Sequence, residues 1–220
     1  MNFMCMKDKE MKVITFSSFG PGAGKTFVST NLAASLVQTD KKVILIDLDI
    51  RKGTLSHHYH REKMGVTLYL SGHADLDSII KPNGICEGLD MIPAGPIPPN
   101  PSELLLSGRL DEMIAELRKR YDYIIVDNVP VGVVADAAIT NRIADVTVFV
   151  VRAGRLDKRM LPEMEKLYRG KQLTNMSVIL NGSKVKSNGY GYGYGYGYGY
   201  GYGYGYGPTH KRKFKPFWKK

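Results

Sequence analysis

Six short runs of Val, Ile and Leu punctuate this 220-residue chain: Lys12–Ser17, Lys42–Asp47, Leu89–Pro93, Tyr123–Asp127, Val146–Val151 and Ser177–Leu180. Most are apolar at nearly every position, not at every second one. A strand with one wet face alternates, whereas a strand covered on both faces does not. Between the runs lie helical patterns at Lys25–Gln38, Ser102–Lys119, Val134–Arg142 and Pro162–Arg169. Strand and helix in alternation predict an α/β fold, a doubly wound and mostly parallel sheet with helices on both faces. A hydrophobic fraction of 43% is enough for its core. The five prolines of Pro93–Pro101 read as a stiff connection inside one domain, because the pattern continues on either side. Ligands of such sheets bind beyond the carboxyl ends of the strands.

The first run leads into Gly20-Pro21-Gly22-Ala23-Gly24-Lys25-Thr26, and a helix pattern follows at once. Small residues let backbone N–H groups close around phosphate oxygens, and a helix N-terminus adds partial positive charge. In this P-loop arrangement Lys25 reaches the β- and γ-phosphates of ATP, and the Thr26 hydroxyl ligates Mg²⁺. Gly22, Ala23, Gly24, Lys25, Thr26 and Phe27 form the candidate nucleotide-binding set. The common pattern has glycine five positions before Gly24, where this chain has Phe19. The bland alternative is a glycine turn with no ligand.

Two further runs end in carboxylates, Asp47-Leu48-Asp49 and Asp127. In a parallel sheet these ends share an edge with the phosphate loop. Aspartate there is costly to bury unless it serves a cation. Each taken alone reads as a helix cap or turn residue; together, beside a phosphate loop, they read as metal and catalytic residues. Mg²⁺ on the nucleotide is the obvious cation.

The net charge of +10 is uneven. Residues 183–220 carry eight Lys and Arg and no acid, and removing those eight leaves +2 for residues 1–182. Nucleic acid is therefore an unlikely partner for the body of the chain. Cys5 and Cys86 are too few for a disulfide framework or a metal cluster, which fits a reducing, cytoplasmic setting. No run approaches the ~20 apolar residues of a membrane span. A domain boundary is predicted after Gly182. From Gly189 to Gly207 glycine alternates strictly with Tyr190, Tyr192, Tyr194, Tyr196, Tyr198, Tyr200, Tyr202, Tyr204 and Tyr206. No packed core forms from that composition, so residues 183–220 read as a disordered tail.

GPGAGKT, VILIDLDIRKG and YDYIIVDNVP resemble the three Walker motifs of the bacterial tyrosine kinases (BY-kinases), and PAGPIPPNPSELL and VVRAG add to the match. The resemblance covers roughly residues 2–182, and the tyrosine-rich tail fits it. It implies transfer of a phosphoryl group from ATP to tyrosine, with Lys25, Asp47, Asp49 and Asp127 as the catalytic set and Thr26, Asp49 and Asp127 holding Mg²⁺, directly or through water. Asp47 is the candidate to accept or orient the tyrosine proton, although the sequence does not separate it from Asp49. Asn181 resembles the family's adenine contact and reads equally as a turn residue before Gly182. Arg51 follows the Asp pair closely enough to reach phosphate, or lies solvated on the surface. The nearest alternative is a partition or division-site ATPase of the ParA/MinD type. That class usually places a signature lysine where this chain has Gly20, and it lacks a tyrosine tail.

The resemblance makes the nine tyrosines the substrate, modified within a homo-oligomer. About 16 residues separate Gly182 from the middle tyrosine, a root-mean-square reach of roughly 20–25 Å. It further implies a role in capsule or exopolysaccharide synthesis and export, and a phosphotyrosine phosphatase as counterpart. A membrane-spanning activator, fused or separate, would hold the chain at the inner face of the bacterial plasma membrane. Family members carry an upstream helix whose Glu and Arg dock into the next subunit. Met1-Asn2-Phe3-Met4 corresponds only to its trailing end. Two motif positions depart from the family, Asn128-Val129 for Thr-Pro and Gly53 for Pro. The terminus from His210 to Lys220 interleaves cations with aromatics. It reads as a solubilising end, an anionic-membrane contact or a nucleic-acid contact.

Overall fold

The computed structural model describes residues 11–59, 63–82, 85–131 and 139–183. The tyrosine repeat, the basic terminus and most of the predicted helix Val134–Arg142 lie outside them; residues 139–140 are helical and a 3-10 turn, Asn141–Ile143, follows.

Six strands fall where the apolar runs place them: β1 Val13–Ser17, β2 Val43–Asp47, β4 Leu89–Ile92, β5 Tyr123–Asp127, β6 Val146–Arg152 and β7 Ser177–Asn181. A two-residue strand, β3 (Lys81–Pro82), had no sequence signal because proline and lysine suit an edge and carry no apolar pattern. The sheet order is β3-β4-β2-β5-β1-β6-β7. Every neighbouring pair is parallel except β3 with β4. All residues of β1 and β2 are buried, which is why their sequences do not alternate.

Side chains still alternate between the two layers of the core. Ile44, Ile46, Ile124 and Val126 face one layer with Leu110, Met113, Ile114 and Leu117 of α6 (Gly108–Arg120). Val43, Leu45, Ile125 and Val148 face the other with Ala33, Ala34 and Val37 of α1 (Lys25–Val37). The α6 positions follow the helical i, i+3, i+4, i+7 spacing. On α1 the buried residues other than Lys25 are small or β-branched, which lets the helix that carries the phosphate loop lie close to the sheet.

The predicted helix Ser102–Lys119 is instead two, α5 (Pro101–Leu106) and α6, because Ser107 between them is extended. The Arg142 guanidinium donates to the carbonyls of Leu105 and Ser107 at 2.7 and 3.1 Å, satisfying acceptors left by that break. Three short helices, α2 (Thr54–Tyr59), α3 (Val66–Leu70) and α4 (Leu76–Ile79), fill the stretch between β2 and β3, where no periodic pattern is long enough to read. The Val66 and Thr67 amides of α3 donate to the carbonyls of Pro93 and Ala94, which ties the proline-rich connection down. Helix α7 spans Leu161–Arg169.

One charged group fastens β1 to β6. The buried Asp145 carboxylate accepts from the Lys12 and Val13 amides at 3.0 and 2.8 Å and from Arg118 of α6 at 2.8 Å. Burial alone would raise its pKa, but Arg118 and the two amides outweigh that and hold it below the ordinary value. Asp145→Ala leaves the buried Val13 amide unpaired and is expected to lower the unfolding free energy by about 2 kcal/mol at pH 7 in a urea titration. In the wild type this contribution is complete above the ordinary Asp value of 3.8. It fades as pH falls through the depressed folded value.

Candidate active site

The carboxyl ends of three central strands meet at one place. Asp47, at the end of β2, is in register with Asp127, at the end of β5, and Asp127 is in register with Phe16 of β1. The Leu48 amide donates to the Asp127 carbonyl at 2.9 Å and extends that pairing past the strand. From β1 the chain turns through Gly20–Gly24 into α1. Gly24 caps α1 with φ +95°, and a Cβ there would lie 2.1 Å from the Asn181 Nδ2. Only glycine meets both demands.

Lys25 opens the helix and is almost completely buried. Its Nζ donates to the Ser18 Oγ at 3.2 Å, and Ser18 in turn donates to the Gly20 carbonyl at 2.8 Å. Burial lowers the lysine pKa, opposed by Asp127 and Asp49. Thr26 donates to the Asp127 Oδ2 at 2.6 Å. The other oxygen of Asp127, Oδ1, is buried with no hydrogen-bond partner. Burial raises the Asp127 pKa to about 6, with Thr26 and Lys25 holding it back and Asp49 adding to the rise.

Asp47 lies deeper. It is fully inaccessible to solvent, and its Oδ2 accepts from the Ser56 amide and hydroxyl at 2.8 and 2.6 Å. Its Oδ1 accepts from the Asp49 amide at 3.1 Å. The Ala94 amide completes the chain by donating to the Ser56 Oγ at 2.8 Å. Burial and then Asp127 raise the Asp47 pKa to about 7. Asp49 is half-buried and accepts from the Lys52 amide at 3.1 Å.

Part of this arrangement opens onto a cavity of about 390 Å³. Gly22, Gly24, Lys25, Thr26, Phe27, Asp49, Arg51 and Asp127 all contribute to its wall; Asp47, Ala23 and Asn181 do not. Ala23 lines a neighbouring cavity of about 250 Å³ with Arg152 and Arg155. Asn181 sits behind the loop, its Nδ2 donating to the Ala23 carbonyl at 2.9 Å. Arg51 donates to the Ser102 hydroxyl at 2.9 Å.

A buried carboxylate oxygen without a partner, a threonine hydroxyl against the same carboxylate, and neighbouring acids that raise the pKa of Asp47 and Asp127 all fit a divalent cation. Among the described residues no three His, Cys, Asp or Glu form a complete cage. A cation here would draw its remaining ligands from phosphate and water, the habit of Mg²⁺.

Phe19 has a structural role: its ring packs edge-on against Phe149 at 4.9 Å between centroids, anchoring the start of the loop to β6. At Gly53 the backbone takes φ +58°, which proline cannot adopt. Asn128 is buried, bonded to Thr140, and accepts from the Val129 amide at 2.8 Å. Ser18, Ser56, Arg152 and Arg155 were not picked out from sequence. Ser18 had a signal, as a small polar residue directly after a buried strand. Ser56 had none, because its partner Asp47 is nine residues away across an irregular turn.

A family model described as an AAA domain matches residues 11–164. The chain is 37% identical over 195 residues to the tyrosine-protein kinase CpsD of Streptococcus pneumoniae, covering 86% of this chain and 83% of that protein. It is 40% identical over 178 residues to a protein of Klebsiella pneumoniae named a putative tyrosine-protein kinase in the cps region, covering 80% of this chain but only 24% of that longer one. Among solved structures, the kinase domain of the Escherichia coli tyrosine kinase ETK aligns with a TM-score of 0.75 at 34% identity, over 87% of this chain and 74% of that one.

Cation and nucleotide binding have a stability signature. Asp127→Asn removes a buried charge, so at pH 8 without metal it is expected to be more stable than the wild type by about 1–2 kcal/mol. The sign follows from the raised folded pKa: the wild-type group favours folding below its unfolded value and loses that as pH rises through about 6. If Mg²⁺ and nucleotide bind at this carboxylate, together they should raise the melting temperature of the wild type and not that of the variant, read by thermal unfolding with and without both.

Proposed function

Because the chain belongs to the bacterial tyrosine-protein kinases, we propose that it transfers the γ-phosphoryl group of ATP to tyrosines of its own C-terminal repeat, Tyr190 to Tyr206, in a neighbouring copy or in the same chain. The observation that carries this reading is the convergence of Lys25, Thr26, Asp49 and Asp127 on one cavity, in a chain that also carries nine tyrosines after its last strand.

The chain's own groups divide the work. The backbone amides of Gly22–Lys25 and the Lys25 ammonium hold the β- and γ-phosphates. Little covalent chemistry is asked of the protein in phosphoryl transfer; alignment and charge stabilisation do most of it. Asp127 and Thr26 present two oxygens, and Asp49 a third, to the cation. Mg²⁺ supplies neutralisation of the charge on the transferring oxygens. Arg51, which also lines the cavity, would meet the phosphates or the acceptor peptide. Asn181 holds the loop through its Nδ2 and would offer its side-chain Oδ1 to the adenine amino group.

The proton acceptor is one of the pair Asp47 and Asp49. Asp49 faces the cavity. Asp47 has a pKa near the operating pH, as a general base needs, but is closed in by Ser56 and serves a tyrosine only if that contact opens. A family role in capsular or exopolysaccharide synthesis and export is supported by the relative named for a cps region. Among the described residues no helix is long and apolar enough to cross a membrane. Attachment to the inner face of the plasma membrane would then come through a membrane-spanning activator, fused or separate. A phosphotyrosine phosphatase would reset the tail. Full modification would add about −14 to −18 charges, outweighing the +10 of the chain.

Incubation with ATP and Mg²⁺ is expected to place phosphate on tyrosines within residues 190–206, read by mass spectrometry; hydrolysis of ATP without phosphotyrosine would favour a partition-type ATPase. Lys25→Met should cost about 10²–10³ in rate, the loss usual for a charge-stabilising group. Asp47→Asn and Asp49→Asn separate the two carboxylates: the acceptor's variant should lose the acid limb of the pH–rate profile, where the rate rises as the base deprotonates, while the other changes mainly the Mg²⁺ requirement.

A further inference from the structure

β7 is an outer strand of the sheet. It pairs with β6 on one side, and among the described residues no strand pairs with its other edge. Its sequence, SVILN, carries no charge. Val178, Ile179 and Leu180 are 50%, 38% and 59% exposed. Natural edge strands are usually charged, very short, bulged or covered, because open N–H and C=O groups recruit further strands. Side chains alternate along a strand, so Val178 and Leu180 share one apolar face and Ile179 occupies the other.

The sequence after β7 has the matching pattern. Seven residues, 182–188, separate the strand from the repeat that begins at Gly189. In extended backbone, strict Gly-Tyr alternation places every tyrosine on one face and every glycine on the other. Tyrosine across from a β-branched residue is a favourable cross-strand pair. A short return after β7 delivers the next segment antiparallel to it.

We propose that the Gly-Tyr segment of the same chain docks as an antiparallel strand on the outer edge of β7, its tyrosine face covering Val178 and Leu180. Five residues of β7 accommodate two or three tyrosines at a time. A slip of two residues presents identical side chains, so the docked register is not unique and the remaining tyrosines stay outside the pairing. A phosphate on a docked tyrosine sets about −1.5 to −2 charges against an apolar face and would release that register. This last consequence rests on the kinase reading; the docking itself does not.

Hydrogen exchange on the full chain without nucleotide tests it independently of phosphoryl transfer. The comparison is the full-length variant with all nine repeat tyrosines changed to serine, which keeps the length and leaves the folded body untouched. Amides in the peptide spanning Ser177–Asn181 are expected to exchange about tenfold more slowly in the wild type, as an added strand protects an open edge. Equal rates in the two proteins would overturn the proposal. Protection that grows with protein concentration would also overturn it, by assigning the edge to the tail of a second copy.

Discussion

Parallel pairing of β2, β5 and β1 is the constraint on which the site depends. It ends three strands at one level, so that Asp47, Asp127 and the start of the phosphate loop arrive together. The flanking layers then remove water from that level, leaving Asp47 and Asp127 buried beside a buried Lys25. Each carboxylate resists ionisation because of burial and of the other acids, and Lys25 offsets this only for Asp127. Such an arrangement is poor for stability and suited to receiving a cation and phosphates, whose charges complement it.

The loop is shaped from several directions. Phe19 packs on Phe149 of β6, Asn181 of β7 holds the Ala23 carbonyl, and Ser18 links Lys25 to Gly20. The first two contacts come from β6 and β7, on one side of β1, and the third lies within the loop. On the other side, Asp47, Ser56 and Ala94 join β2 to the proline-rich connection. The cavity between these two sets is held by elements distant in sequence.

Much of the fold was legible because its signals are local. Six uninterrupted apolar runs named six strands to within a residue at each end, and the Gly24-Lys25-Thr26 step fixed the start of α1. Legibility failed where structure is short or its reason is distant. The break at Ser107 hides inside a continuous helical pattern, and α2 to α4 are each too short to show a period. Phe19, an unexplained departure in the sequence, is a core residue that meets its partner 130 positions later.

The parallel α/β class, the phosphate loop, the three aspartates at strand ends and the tyrosine repeat are each written in neighbouring residues. How the aspartates differ is set by the packed fold. Asp127 faces Thr26 with one oxygen unpartnered, Asp49 opens to the cavity, and Asp47 is sealed by Ser56. The three residues are chemically identical, and what separates them is burial and hydrogen bonding, which the packing of distant segments sets and no local pattern records.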